Sequence, residues 1–195
     1  MILKDSKLRN KLKAISDQEV SDIILFGSAA RGKEKPNDID ILVIFKEKIN
    51  KETEYTIRKE IEKIYNSVSI ISKTERTISD ESFDARESML FEGKSLITGK
   101  GMPERYGFSP FGMFKYNFGD WSNLQKTKFY HALNGRSNIK GIADLLNCIK
   151  LSDSLMLTPL DKIEEFREFL DSWKIEYTYI PTLIPKRLSK KELLQ

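Results

Sequence analysis

Two apolar runs divided by a short polar loop constrain this chain more than any other feature. The first run ends as Leu25-Phe26-Gly27-Ser28 and leads into Ala29-Ala30-Arg31-Gly32; the second follows as Asn37-Asp38-Ile39-Asp40-Ile41-Leu42-Val43-Ile44. In an extended strand, residues two apart share a face. Asp38 and Asp40 are therefore expected to project together, while Ile39 and Ile41 turn to the core. Carboxylates held side by side repel unless a cation lies between them. A hard, oxygen-seeking ion such as Mg²⁺ suits such a pair, because it binds through one or two carboxylates plus substrate phosphates. Gly27 lets the backbone pass close to a ligand. Ser28 and the residues after it can open a helical turn whose N–H groups favour phosphate.

Gly27-Ser28, Ala30-Arg31-Gly32 and Asp38-Ile39-Asp40-Ile41 together resemble the signature of the DNA polymerase β superfamily of nucleotidyltransferases, in particular its minimal nucleotidyltransferase branch. The resemblance covers roughly residues 20–98. Its specificity comes from four agreeing features: the preceding strand, the Gly-Ser pair, the loop length, and an acidic pair opening an apolar strand. An isolated Asp-x-Asp or Gly-Ser is usually just a turn.

The resemblance implies that Asp38 and Asp40 ligate one or two Mg²⁺ ions and carry the catalysis. It implies that Gly27 and Ser28 cradle the β- and γ-phosphates of an NTP, and that Arg31 pairs with a phosphate through its fork of donors. The implied reaction transfers NMP, most simply AMP from ATP, to a hydroxyl of a protein or RNA with release of pyrophosphate. Relatives act on toxin partners or on tRNA, so both acceptor classes are implied. Lys33 and Lys35 read as solvated loop charges.

One departure stands out. Active members carry a third carboxylate on the next core strand, where this chain has Val68-Ser69. A hydroxyl is a poor substitute for a metal-binding, base-like carboxylate. Glu75, Asp80 and Glu81 are the nearby acids in sequence, and each reads first as a solvated loop or helix-start residue. The competing reading is therefore a nucleotide- or RNA-binding module that keeps the fold with weak or no catalysis. A purely structural partner protein is a third possibility.

The chain has 195 residues, 39% hydrophobic and 32% charged, which suits one domain or two small ones. No apolar run is long enough to span a bilayer, and Met1–Ser6 shows no signal-peptide h-region. The lone cysteine, Cys148, excludes an internal disulfide and leads us to expect a cytoplasmic setting. With a single cysteine and a single histidine, His131, no Cys/His set for structural zinc exists. Cys148 lies in an apolar stretch and reads as a buried structural thiol. A net charge of +4 permits nucleic-acid contact without demanding it.

The expected fold class is α/β (α+β): a mixed sheet with flanking helices over residues 1–98, a Gly/Pro-rich linker over 99–112, and a small α+β module over 113–195. Leu8, Leu12 and Ile15 predict a helix over 4–16, and Ile57, Ile61 and Ile64 predict one over 51–66. Strands are expected at 22–26, 38–45 and 67–72, a helix at 80–92 stopped by Gly93, and a short edge strand at 94–98. In the second half we expect a strand at 113–118 and a helix at 121–133 with Leu124, Phe129 and Leu133 inside. A strand should follow at 155–158, then a helix capped at Thr158-Pro159 and continued through Ile163, Phe166, Leu170 and Trp173. Residues 175–183 read as β, with Pro181 marking an edge. Lys115, Lys126, Lys128, Arg136, Lys140 and Lys150 interleave with Phe114, Tyr116, Trp121 and Tyr130. That pattern is conceivable for RNA, although a solvated helix face over core aromatics is the plainer reading.

Overall fold

A computed structural model describes residue 2 and residues 5–16, 18–31 and 38–188. The chain divides into two compact units, 1–106 and 107–195. Gly32, Lys33, Lys35 and Asn37 lie outside the described residues.

The first unit is built from α1 (Ser6–Ser16), β1 (Val20–Phe26), β2 (Ile39–Phe45), α2 (Lys51–Glu62), β3 (Val68–Thr74), α3 (Arg86–Glu92), β4 (Lys94–Ser95) and α4 (Met102–Arg105). Its sheet runs in the order β3-β2-β1-β4. β1 is antiparallel to both β2 and β4, whereas β2 and β3 are parallel, so the sheet is mixed as expected. β1 and β2 are apolar on both faces and need cover on both sides. Leu8 and Leu12 of α1, with Ile57 and Ile61 of α2, cover Ile23, Leu25, Ile41 and Val43. On the opposite face Phe83, Met89 and Met102 cover Ile24, Phe26, Leu42 and Ile44.

Local chemistry sets the helix starts. The Asn50 side chain accepts from the backbone N–H groups of Glu52 and Thr53, satisfying two of the donors orphaned at the start of α2. Asp22, 3% exposed, ties three elements together. Its Oδ1 accepts from Ser95 Oγ at 2.6 Å and from Ile23 N at 2.8 Å, and its carboxylate pairs with Arg105.

The second unit contains β5 (Phe108–Asn117), α5 (Asn123–Asn134), the hairpin β6 (Gly135–Arg136) and β7 (Ile139–Lys140), α6 (Ile142–Leu145), β8 (Ile149–Ser152), β9 (Leu155–Pro159), α7 (Ile163–Ser172) and β10 (Glu176–Pro185). Its main sheet runs β10-β5-β9-β8, which places β10 and its Pro181 at an edge. The core is aromatic. Phe114 of β5 meets Phe166 of α7 edge-on at 5.1 Å, and Tyr116 meets Phe129 of α5 at 5.6 Å. Such tilted pairs add to the burial of large apolar area.

Several expectations shift. Residues 75–85 are turns, and α3 begins only at Arg86. Ile64 falls past the end of α2 and is 48% exposed, and Leu124, on the outer face of α5, is 65% exposed. Pro159 closes β9, and a 3₁₀ turn at Leu160–Lys162 leads into α7 without a side-chain cap. The 99–112 stretch holds α4 and the start of β5, with Met102 and Pro103 buried. Phe114 and Tyr116 are core residues and cannot stack on bases. Trp121 and Tyr130 join the same aromatic cluster through Phe129. Among the described residues no helix is long and apolar enough to cross a membrane.

Candidate active site

The β1–β2 pairing creates the site. Antiparallel neighbours bring the end of β1 to the start of β2, so Phe26 pairs across the strands with Asp40. Gly27 then turns the chain at φ +72°, a left-handed conformation that side chains strain to adopt. A Cβ at Gly27 would stand 2.5 Å from Asp40 Oδ2, so the carboxylate fills the space that only glycine leaves open. The backbone N–H groups of Ala30 and Arg31 both donate to Gly27 O, at 3.1 and 3.3 Å. Residues 27–31 thus form a single tight turn. Ala29 and Ala30 pin its inner side into the core, while Ser28 and Arg31 stay half-buried at the rim.

Asp38 precedes β2 and is exposed; Asp40 lies within the strand and is half-buried. Their neighbourhood is electrostatically strained. Burial raises the Asp40 pKa above the ordinary carboxylate value, and the charges of Asp38 and Glu92 raise it further. Asp40 therefore lies within electrostatic reach of two other carboxylates. A cation bound there would relieve the strain, and one or two carboxylates are what Mg²⁺ takes from a protein when phosphates supply other ligands. Among the described residues, however, no group of three or more His, Cys, Asp or Glu side chains is arranged to hold a metal ion by itself.

Ser69 occupies the position level with Asp40 in the parallel β2–β3 pair. Its hydroxyl, not a carboxylate, therefore borders the acidic pair. Glu75 does not replace it. Parallel pairing carries β3 away from Asp40, and Glu75 N donates to Phe45 O at the far end of β2. There the Glu75 side chain accepts from Ser21 Oγ at 2.5 Å. Asp80 and Glu81 are exposed turn residues beyond it.

Sequence reasoning missed the acid that does reach the site. Glu92 ends α3 and is 4% exposed. Its Oε1 accepts from Gly27 N at 2.9 Å, and its Oε2 accepts from Arg31 Nη1 at 2.6 Å. One signal was available. Glu92 is the only charged residue in Met89-Leu90-Phe91-Glu92-Gly93, and an acid inside an apolar helix end tends to be buried and paired.

Elsewhere, His131 is exposed, and Cys148 hydrogen-bonds Thr158 Oγ1 at 3.5 Å. Burial pushes the Cys148 thiol pKa up to about 11, the behaviour of a structural thiol. The basic side chains of the second unit partly serve its aromatics: Lys126 lies over Phe118 and Lys150 over Tyr130.

No curated protein and no solved structure matches the chain. Residues 8–95 match the family model described as "Polymerase beta, Nucleotidyltransferase". The strand, bend and acid pair of the first unit fall inside that match, and the N-terminal half of this chain thus matches a nucleotidyltransferase domain of the DNA polymerase β superfamily.

Proposed function

We propose that the protein is a Mg²⁺-dependent nucleotidyltransferase that moves NMP, most simply AMP from ATP, onto a hydroxyl of a protein or RNA. The single observation that carries this reading is the packing of Asp40 against the Gly27 bend, with the Asp38 charge close enough to raise its pKa. That arrangement stacks anionic ligands for a cation directly beside a turn suited to phosphate.

In this reading Gly27 and Ser28 seat the β- and γ-phosphates, and Arg31 fixes one of them through its planar fork. Asp38 and Asp40 would hold the divalent ion, which supplies charge neutralisation to the attacking and leaving oxygens. The acceptor oxygen bonds to the α-phosphorus, the bond from that phosphorus to the bridging oxygen breaks, and pyrophosphate departs. The remaining catalysis is positioning and electrostatics.

Ser69 supports the second reading, a nucleotide- or RNA-binding module with weak catalysis, because it leaves the acid pair without a strand-borne third carboxylate. Incubation with Mg²⁺ and each α-labelled NTP, alone and with total cellular RNA and protein, separates the two. Label transfer abolished by Asp38→Ala and Asp40→Ala is the expected result. Nucleotide binding without transfer would favour the module. The acceptor, whether a toxin-type protein, tRNA or another hydroxyl, would be identified by the species that takes the label.

A further inference from the structure

We propose that Glu92 sets the affinity of the Gly27–Arg31 turn for polyphosphate by occupying it, as a resident anion that an incoming triphosphate displaces. The inference rests on the nucleotidyltransferase reading above and adds a role for a residue that reading does not use.

Glu92 stands where a carboxylate is costly. It is 4% exposed, and burial penalises an ionised acid unless it is fully paired. It closes α3, whose C-terminal end carries the negative pole of the helix dipole. It also adds to the negative charge that already acts on Asp40. Two donors offset these costs: the Gly27 backbone N–H at 2.9 Å and Arg31 Nη1 at 2.6 Å.

Those same donors are the ones a phosphate oxygen would use. A backbone N–H at a tight turn and a guanidinium fork form a common anion seat, and here a carboxylate holds both at once. Phosphate and Glu92 therefore compete for one set of hydrogen bonds. Displacement has a second effect. Once separated from Arg31, the Glu92 charge is uncompensated within reach of Asp40, so the site demands a divalent cation more strongly. Polyphosphate and cation should then bind cooperatively, more so with Glu92 than without its charge.

Glu92→Gln isolates this role, because glutamine keeps an acceptor for Gly27 N and removes the anion from Arg31. Binding of inorganic tripolyphosphate and of ATP to the full chain, measured by calorimetry with and without Mg²⁺, is the direct test, with thermal melting as the check on folding. Without Mg²⁺, E92Q should bind tripolyphosphate about tenfold or more tightly than the wild type, the worth of one charge-assisted hydrogen bond. The gain in affinity on adding Mg²⁺ should be smaller in E92Q than in the wild type.

Equal or weaker binding by E92Q would overturn the proposal and make Glu92 a plain support of the turn. Should E92Q melt early, Glu92→Asp decides. Its shorter side chain keeps the charge but withdraws from Arg31, and tighter tripolyphosphate binding is again required. If neither wild type nor a folded variant binds ATP or tripolyphosphate, the nucleotidyltransferase reading falls together with this one. Binding by the wild type without a gain in the variants removes this inference alone.

Discussion

Ser69 lies level with Asp40 across the parallel β2–β3 pair, on the same face of the sheet. In-register residues on neighbouring strands have side chains a few ångströms apart. A carboxylate introduced there would join Asp38 and Asp40. Ser69→Asp should tighten Mn²⁺ or Mg²⁺ binding on the order of tenfold, the scale on which added ligand charge tunes such sites. Mn²⁺ titration followed by electron paramagnetic resonance would measure it, and label transfer should rise in parallel.

Gly27→Ala should be damaging twice over. The left-handed conformation costs an alanine roughly 1–2 kcal/mol, and its methyl group would stand 2.5 Å from Asp40 Oδ2. The variant should melt earlier than the wild type. Moving either Asp40 or the bend by an ångström should reduce nucleotidyl transfer by about 100-fold, read from α-labelled NTP incorporation.

Asp40 also links stability to pH. Burial and the charges of Asp38 and Glu92 raise its folded-state pKa above its ordinary value. A carboxylate raised in this way contributes stability at pH below its unfolded pKa, and that contribution is lost as pH climbs through the folded pKa. In metal-free buffer the wild type should therefore lose stability across that window, while Asp40→Asn does not. At neutral pH D40N should melt higher than the wild type and no longer transfer nucleotide. Mg²⁺ should raise the melting temperature of the wild type more than that of D40N.

The Asp22 anchor is structural and separable from the chemistry. Asp22→Asn leaves Arg105 without its carboxylate and weakens the Ser95 bond. Breaking a buried pair by removing one charge costs about 3–5 kcal/mol. Arg105 is partly solvated, so a loss at the low end of that range is expected in urea unfolding.

Cys148 offers a test in the second unit. With its pKa pushed up to about 11, the thiolate fraction at pH 8 is roughly a thousandth, and the thiolate is the reactive form. Iodoacetamide should label the native chain far more slowly than the urea-unfolded one, as followed by mass spectrometry.

The parts of this fold legible in the sequence were those fixed by local pattern. Unbroken apolar runs marked β1 and β2, and the spacing of Leu8 with Leu12 and of Ile57 with Ile61 marked the helices that cover them. Gly27 and the acid pair were readable because a bend and an alternating strand place side chains within a few residues of one another. What escaped depended on distant packing. Residues 80–85 look helical locally, yet Phe83 is drawn under the sheet from a turn. Leu124 and Ile64 sit at plausible helical intervals, but both are left largely exposed. The lone acid of an apolar helix end marked Glu92 as buried and paired, but not its partner, because 65 positions separate it from Gly27 and the docking of α3 against β1 brings them together. In the second unit, the interleaved basic and aromatic residues read most plainly as a solvated face over core aromatics, and Phe114 and Tyr116 are indeed part of the core.

The antiparallel pairing of β1 with β2 has one further consequence. The Gly27 bend that follows β1 and Asp40 near the start of β2 therefore issue from a single rim of the sheet. Ser28 and Asp38 lie at that rim outside the hydrophobic core, so substitutions there can alter it while the residues that hold the unit folded stay as they are.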